Sequence, residues 1–535
     1  MSLKTTAYIS DCSKQLDRTA EPSLTAAFLE SSKKYADEEA YACLGKSISF
    51  SEVERLSRDF AAYLIHECQL VQGDRIAIQL PNLLQYPIVA WGALRAGLTI
   101  VNTNPLYTNR ELEYQFNDSG AKALVVFSDN VPRIEALIDK TSVTNIIVTH
   151  AIDMLDPQPL PETSIHGAIS LHDALAAGQQ HELPAIAINL DDLALLQYTG
   201  GTTGAPKGAM LSHGNVLSAC LMSPLSFGAD MTQRETGIAP MPMYHIYGFA
   251  INLISGFLNG GFSVLIPNPR DIDSMIATMR AYPFTSFAGV NTLFTALMQH
   301  PDFDAIDFSY LKWTISGGAA TATDVANEWQ QRTGALIHEG YGLSETVAMA
   351  TVNTVTSREM GTIGPAMIGT ELKVVNAEGA ELPNGEEGEL LIRGPQVMQG
   401  YWQREEATAE AIDADGWFRS GDIAVIQDNG HVRIVDRLKD MVLVSGFNVY
   451  PNEIENVVYG HSSVIECAVV GVPDDKTGEA VKLFVVINDP KVSADELREF
   501  CRKELAAYKV PKHIEFKGEL PKSHVGKILR RELRG

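Results

Sequence analysis

The sequence is short of basic residues and of aromatics. Lys and Arg number 42 against 66 Asp and Glu, a formal net charge of -24, and Phe, Trp and Tyr make up 8%. A chain this acidic has no global affinity for nucleic acid or anionic lipid. The six cysteines (Cys12, Cys43, Cys68, Cys220, Cys467, Cys501) show no CxxC spacing. That excludes a disulfide framework or a zinc site and reads as reduced thiols in a reducing compartment. No apolar run is long and clean enough to span a bilayer, which takes about 20 residues. The best candidate, Phe249–Pro267, is interrupted by Asn252, Ser255, Asn259 and the pair Gly260–Gly261, and reads as a buried helix, a turn and a strand. The opening MSLKTTAYISDCSKQLD lacks an apolar core, so a secretory signal is not expected. What is present is a soluble globular mix, 45% hydrophobic and 20% charged over 535 residues, enough for three or four structural units.

Short apolar strands alternate with amphipathic helices through the first two thirds. Asp74–Gln79, Thr99–Asn102, Ala123–Val126, Ser263–Ile266, Thr285–Gly289 and Lys312–Ser316 read as strands, and Leu83–Ala96 and Glu111–Asp118 as helices. Strands spaced by helices predict covered parallel sheets. From Gly364 to Val435 the helical period gives way to short alternating runs (LKVV, GELLIRG, HVRIV) between turn clusters, which predicts a small antiparallel or distorted barrel layer. After Asp436–Asp440 (DRLKD) comes a compact α+β section. The expected division is 1–360 and 361–435 within one large domain, a hinge at 436–440 and a mobile small domain at 441–535. From Arg502 onward ten Lys and Arg face four Glu, a basic cap on an acidic body. It reads equally as a solvated tail or as a lid that meets a polyanionic substrate.

The most informative segment is Tyr198-Thr-Gly-Gly-Thr-Thr-Gly-Ala-Pro-Lys-Gly208, which follows an apolar strand. Gly200, Gly201, Gly204 and Gly208 let the backbone turn sharply and bring N–H groups to an anion. Thr199, Thr202 and Thr203 add hydroxyls and Lys207 a mobile charge. This is a phosphate loop, but not the GxxxxGK[ST] kind, because Gly208 and Ala209 follow the lysine. Gly340-Tyr341-Gly342-Leu343-Ser344-Glu345 begins like a dinucleotide fingerprint and then places Glu where the last glycine belongs.

Taken together, YTGGTTGAPKGA, EGYGLSE (339–345), GWFRSGD (416–422), DRLKD (436–440) and PKSHVGKILRREL (521–533) resemble the adenylate-forming family of acyl-CoA synthetases, luciferases and adenylation domains. PNLLQYP, NPLYTNRELEYQFNDSGAKA, PQVMQGYWQR and SGFNVYPNEIE make bacterial long-chain fatty-acid–CoA ligases the nearest likeness. The resemblance covers nearly the whole chain. It implies that a carboxylate attacks the α-phosphate of ATP to give acyl-AMP and pyrophosphate, after which the thiol of CoA displaces AMP.

It also implies roles for residues. The loop holds the β- and γ-phosphates. Glu345, with Thr202, holds Mg2+, a cation that favours carboxylate oxygen. Tyr341, Gly317, Gly318 and Ala319 border adenine, with Glu339, Gly340, Gly342 and Ser344 around the nucleotide. Asp422 accepts the ribose hydroxyls, Arg437 adds a fork-shaped donor and Ile434 lies alongside. Lys527 bridges the attacking carboxylate and the α-phosphate, and Lys439 is the pivot about which the small domain turns. Ser445, Gly446 and Phe447 line the pantetheine path. His245 flanks the acyl-adenylate, and Tyr244, Tyr247, Gly248, Phe287, Val290 and Leu293 are candidates for the acyl wall.

The expected substrates are a medium-to-long fatty acid, ATP and CoA, with no nucleic acid partner and cytoplasmic residence. A homodimer and a transient peripheral membrane contact stay open. Two rivals are an acyl-AMP ligase that loads a carrier protein and a non-catalytic lipid-binding relative. Intact Lys207, Glu345, Asp422, Arg437 and Lys527 argue against the second.

Overall fold

The computed structural model describes residues 2–15, 23–199, 205–228, 230, 233–445, 447–474, 476–522 and 528–534. The alternation of strands and helices produces two eight-stranded sheets. One runs in the order Thr351–Val352, Ile337–Tyr341, Trp313–Ser316, Ser286–Gly289, Thr236–Ala239, Phe262–Leu265, Glu39–Cys43, Lys46–Ser49. The other runs Gly400–Tyr401, Lys207–Ser212, Leu193–Thr199, Thr99–Asn102, Arg75–Gln79, Ala121–Phe127, Asn145–Thr149, Ile169–Ser170. Their interiors are parallel, and antiparallel pairs occur at the ends.

Helices cover these sheets, as parallel strands require. Helix Phe50–His66 opens on a reciprocal cap. The Ser49 hydroxyl accepts from the Glu52 N–H, and Glu52 accepts from the Ser49 N–H. Its inner face meets helices Leu24–Lys34 and Gln85–Arg95 at an aromatic cluster. Phe28 lies 4.4 Å from Trp91 and 5.0 Å from Phe257, and Phe50 lies 4.4 Å from Phe257, ring centre to ring centre. All four are buried. Truncating one to alanine would remove about 3–5 kcal/mol. The apolar stretch at 249–267 resolves as read: a π-helical segment Phe249–Ser255, a short helix, a glycine turn and the strand Phe262–Leu265. Among the described residues no helix is long and apolar enough to cross a membrane.

The antiparallel layer is a four-stranded sheet, Glu371–Val375, Glu387–Arg393, Phe418–Ile426 and Val432–Arg437. Val374, Leu390, Ile392, Phe418, Ala424 and Val432 pack it onto the main core. Beyond it lies a smaller α+β lobe. Strands Val464–Asp474 and Gly478–Ile487 carry helices Pro451–Tyr459 and Ala494–Glu504 over a core of its own, including Val449, Ile454, Leu483 and Leu497. The chain is thus a mixed α/β body with a small C-terminal lobe.

Candidate active site

The site grows from the ends of both large sheets. Strands Leu193–Thr199 and Lys207–Ser212 pair antiparallel with Thr199 opposite Lys207, so both flanks of the glycine loop reach the same point. Helix His213–Phe227 follows at once. Its Ser212 cap is reciprocated by Asn215, whose Nδ2 also donates to the carbonyls of Pro395 at 2.8 Å and Val397 at 2.9 Å. Those bonds hold the segment that becomes the two-residue strand Gly400–Tyr401, paired with Met210 and Ala209. Tyr401 therefore lands beside the loop. The Lys207 ammonium stands 5.1 Å from its ring centre, and its hydroxyl donates to Glu345 Oε1 at 2.8 Å. Burial pushes the Glu345 carboxyl above its ordinary range, and the Tyr401 bond draws it back.

A second cluster forms where strand Ile337–Tyr341 meets the antiparallel sheet. Asp422 and Arg437 are register partners there. The Tyr341 hydroxyl donates to Asp422 Oδ2 at 2.5 Å, and Arg437 Nε lies 3.1 Å from Oδ1. Burial, with the Asp422 charge added, raises the Tyr341 phenol well above its usual value, so it stays a donor. Lys439 faces the same space, and burial first, then Arg437, lowers its ammonium.

Between the clusters is a cleft of about 470 Å³. Of the residues singled out in the sequence it brings together Thr199, Lys207, His245, Tyr247, Val290, Gly317, Gly318, Ala319, Gly340, Tyr341, Gly342, Ser344, Glu345, Arg437 and Lys439. Gly318 is in the left-handed region at φ +79, where a side chain would be strained. His245 Nδ1 accepts from the Tyr247 N–H at 3.2 Å, which fixes how the ring is presented.

Other named residues stand behind the lining. Asp422 is covered by Tyr341 and Arg437, and Glu339 accepts from the Thr321 N–H at 2.8 Å. At Gly248 a Cβ would come within 2.3 Å of the Pro242 carbonyl, so its role is close backbone packing. Tyr244 is partly buried against the main core, where burial pushes its phenol up to about 12. Ile434 packs against that core too. Phe287 departs from its expected place on the acyl wall: it is buried and stacked 5.6 Å from Trp329 in the second core, where Leu293 also lies. An apolar residue at a strand–helix junction can face a cavity or a core, and periodicity does not separate the two. Ser445 and Phe447 sit on an exposed hairpin of the lobe, with Phe447 stacked 4.8 Å from Tyr508. Gly200, Gly201, Thr202, Thr203, Gly204, Gly446 and Lys527 lie outside the described residues.

The sequence reading missed Tyr401, and it missed Phe227, Met241, Ile251, Met349 and Met367 on the apolar side of the cleft. It also missed the brace behind the loop. The Tyr198 hydroxyl donates to Asp118 Oδ2 at 2.7 Å, Arg404 to Asp118 Oδ1 at 2.5 Å, and the Tyr114 hydroxyl to the Pro206 carbonyl at 2.8 Å. Helix Asn109–Ser119 thus grips the loop at both described ends.

The profile of the AMP-binding enzyme family matches residues 28–402, and that of the AMP-binding enzyme C-terminal domain matches residues 453–527. The chain belongs to the AMP-binding enzyme family. It is 45% identical to a long-chain-fatty-acid–CoA ligase of Salmonella typhimurium, over 98% of this chain and 97% of that one. Among solved structures it is similar to the anthranilate CoA ligase AuaEII in complex with anthranoyl-AMP (TM-score 0.87, 25% identity, 96% of each chain). It is also similar to ATP-bound MatB from Rhodopseudomonas palustris (TM-score 0.85, 30% identity, 95% of this chain and 98% of that one).

Proposed function

We propose that this protein is an AMP-forming fatty-acid–CoA ligase that uses a medium-to-long-chain fatty acid, ATP and CoA. The observation that carries the reading is the pair of clusters facing one cleft, Lys207–Tyr401–Glu345 on the phosphate side and Tyr341–Asp422–Arg437 on the nucleoside side. One carboxylate oxygen of the fatty acid attacks the α-phosphorus, and the bond to the bridging oxygen of pyrophosphate breaks. The CoA sulfur then attacks the acyl carbon, its proton is lost, and AMP leaves with the former carboxylate oxygen.

Lys207 and the glycine loop draw charge from the departing pyrophosphate. Asp422, fixed by Tyr341 and Arg437, accepts from the ribose. Mg2+ is proposed at Glu345, because a hard divalent cation takes one or two carboxylates and completes its shell with phosphate oxygens and water. A buried carboxylate on the cleft, kept in place by Tyr401, fits that ion, which would neutralise charge on the phosphates. Tyr401→Phe keeps the ring under Lys207 and removes only the hydroxyl. A hydrogen bond to a charged group contributes roughly 1.5–3 kcal/mol, so adenylation should slow by about tenfold or more. A rate within about twofold of the parent would mean that Glu345 is held without it.

The acyl chain is placed along Phe227, Met241, Ile251, Val290, Met349 and Met367. Each buried methylene contributes about 0.8 kcal/mol, so six extra carbons are worth about 5 kcal/mol where the wall extends that far. A substrate panel read as AMP release in the presence of CoA should favour fatty acids of eight carbons and more. Better turnover of acetate or coumarate would reject the reading.

We also divide the chain functionally at 436–440, with Lys439 the pivot on which the lobe exchanges the adenylation pose for the thioester pose. Ser445 and Phe447 then approach the pantetheine path. Six free thiols support residence in a reducing compartment.

A further inference from the structure

We infer that Asp436 and Arg530 form a clasp between body and lobe that positions the C-terminal tail for the adenylation step. The inference rests on the proposed ligase function and adds two positioning residues to it. Asp436 belongs to the body. It lies on strand Val432–Arg437, opposite Ile423, and is 0% exposed. Yet its partners come largely from the lobe. Oδ2 accepts from the Asn452 N–H at 2.8 Å, in the first turn of helix Pro451–Tyr459, and Oδ1 accepts from the Arg437 N–H at 2.7 Å. Arg530 Nη1 stands 3.7 Å from Oδ1.

Arg530 is itself gathered in by lobe groups. It donates to Glu455 at 2.6 Å and 3.1 Å and to Asn452 Oδ1 at 2.5 Å, and lies 3.5 Å from Asp440. Arg534 reinforces the same corner, 2.8 Å from Asp440 and 3.3 Å from the Lys439 carbonyl. Burial favours the neutral form of Asp436 and leaves its carboxyl pushed up to about 6, even though Arg530 and the two N–H groups pull the other way. Burial likewise opposes the charge on Arg530, but Glu455, Asp436 and Asp440 outweigh it and hold the guanidinium ionised.

The clasp spans the pivot. Leu438 is still bonded to the body through Gly421, whereas Asn452, Glu455 and Arg530 all follow Lys439. The apolar contact beside it is small, Tyr450 against Ile423, Val425 and Val435. Turning the lobe about Lys439 must therefore part Asp436 from both Asn452 and Arg530. A buried ion pair is an expensive way to add stability, and its best-attested use is to specify one arrangement over another. Here the arrangement specified is the approach of the tail, since Arg530 follows Lys527 by three residues.

The test uses the full-length chain with Asp436→Asn, Arg530→Gln and Arg530→Lys. Acyl-AMP formation from palmitate and Mg·ATP is read as pyrophosphate release without CoA, and thioester formation is read from supplied palmitoyl-AMP and CoA. Asp436→Asn and Arg530→Gln should slow the first step about tenfold through kcat, with KM for palmitate and ATP little changed, and leave the second step within about threefold, as expected for loss of one charge-assisted bond. Arg530→Lys should recover part of the loss.

Hydrogen exchange, with no substrate present, should quicken in the 437–452 peptide and stay unchanged in strand Val464–Asp474. Loss of both half-reactions together, no loss in the first, or faster exchange in the lobe core as well would overturn the clasp. If the parent protein releases no pyrophosphate with palmitate, the ligase reading falls. The exchange result then decides the clasp by itself.

Discussion

Lys527→Ala should lose acyl-AMP formation by about a hundredfold or more, because removing one preorganised donor to charge that develops in a transition state costs roughly 3–4 kcal/mol. Thioester formation from supplied acyl-AMP should survive. The argument is one of charge. In the first step a carboxylate anion must approach a polyanionic phosphate, and a cation between them relieves the repulsion. In the second step the attacker is a thiol and the leaving group is AMP, so the same cation is dispensable. The described cations of the cleft, Lys207, Arg419, Arg437 and Lys439, are engaged elsewhere in this reading: on the loop, on Glu389, on Asp422 and at the pivot. Equal loss in both half-reactions would remove Lys527 from this role.

Glu345→Gln should be nearly as damaging, slowing adenylation by about a hundredfold. The amide oxygen can still accept from Tyr401, so the fold around the side chain is kept while the charge is lost. Binding separates this from a general disturbance. Parent protein should bind ATP more tightly with Mg2+ than without, and the variant should lose most of that difference. A variant that keeps the Mg2+ dependence would place the ion on other residues.

The legible parts of the sequence were those set by local physics. Thr99–Asn102 lies where it was read, and Arg75–Gln79, Ser286–Gly289 and Trp313–Ser316 start one residue later than read, because apolar runs of four to six residues bounded by turns leave little other choice. What escaped depends on distant partners. Strand Glu39–Cys43 pairs with its neighbour Lys46–Ser49, but its place in the large sheet is set by Tyr41 lying opposite Ser263, more than two hundred residues away. Gly400–Tyr401 is too short to show a period, so nothing near Tyr401 signals that its hydroxyl will meet Glu345. Asp118 looks like the end of a surface helix until Tyr198 and Arg404 close on it. Asp436 and Arg530 each sit in a recognisable motif, DRLKD and GKILRREL, yet only the folded chain puts one against the other. The acyl wall was the least legible. Val290 lies on the cleft and Phe287, three residues earlier, lies in the core.

The most direct test of the two-step account follows an oxygen atom. The protein is incubated with palmitate labelled with oxygen-18 in the carboxylate, together with Mg·ATP and CoA, and the products are separated and weighed by mass spectrometry. The account requires palmitoyl-CoA, unlabelled pyrophosphate and AMP carrying one labelled oxygen on its phosphate. Label in inorganic phosphate beside ADP, or palmitoyl-CoA formed with unlabelled AMP, would contradict it.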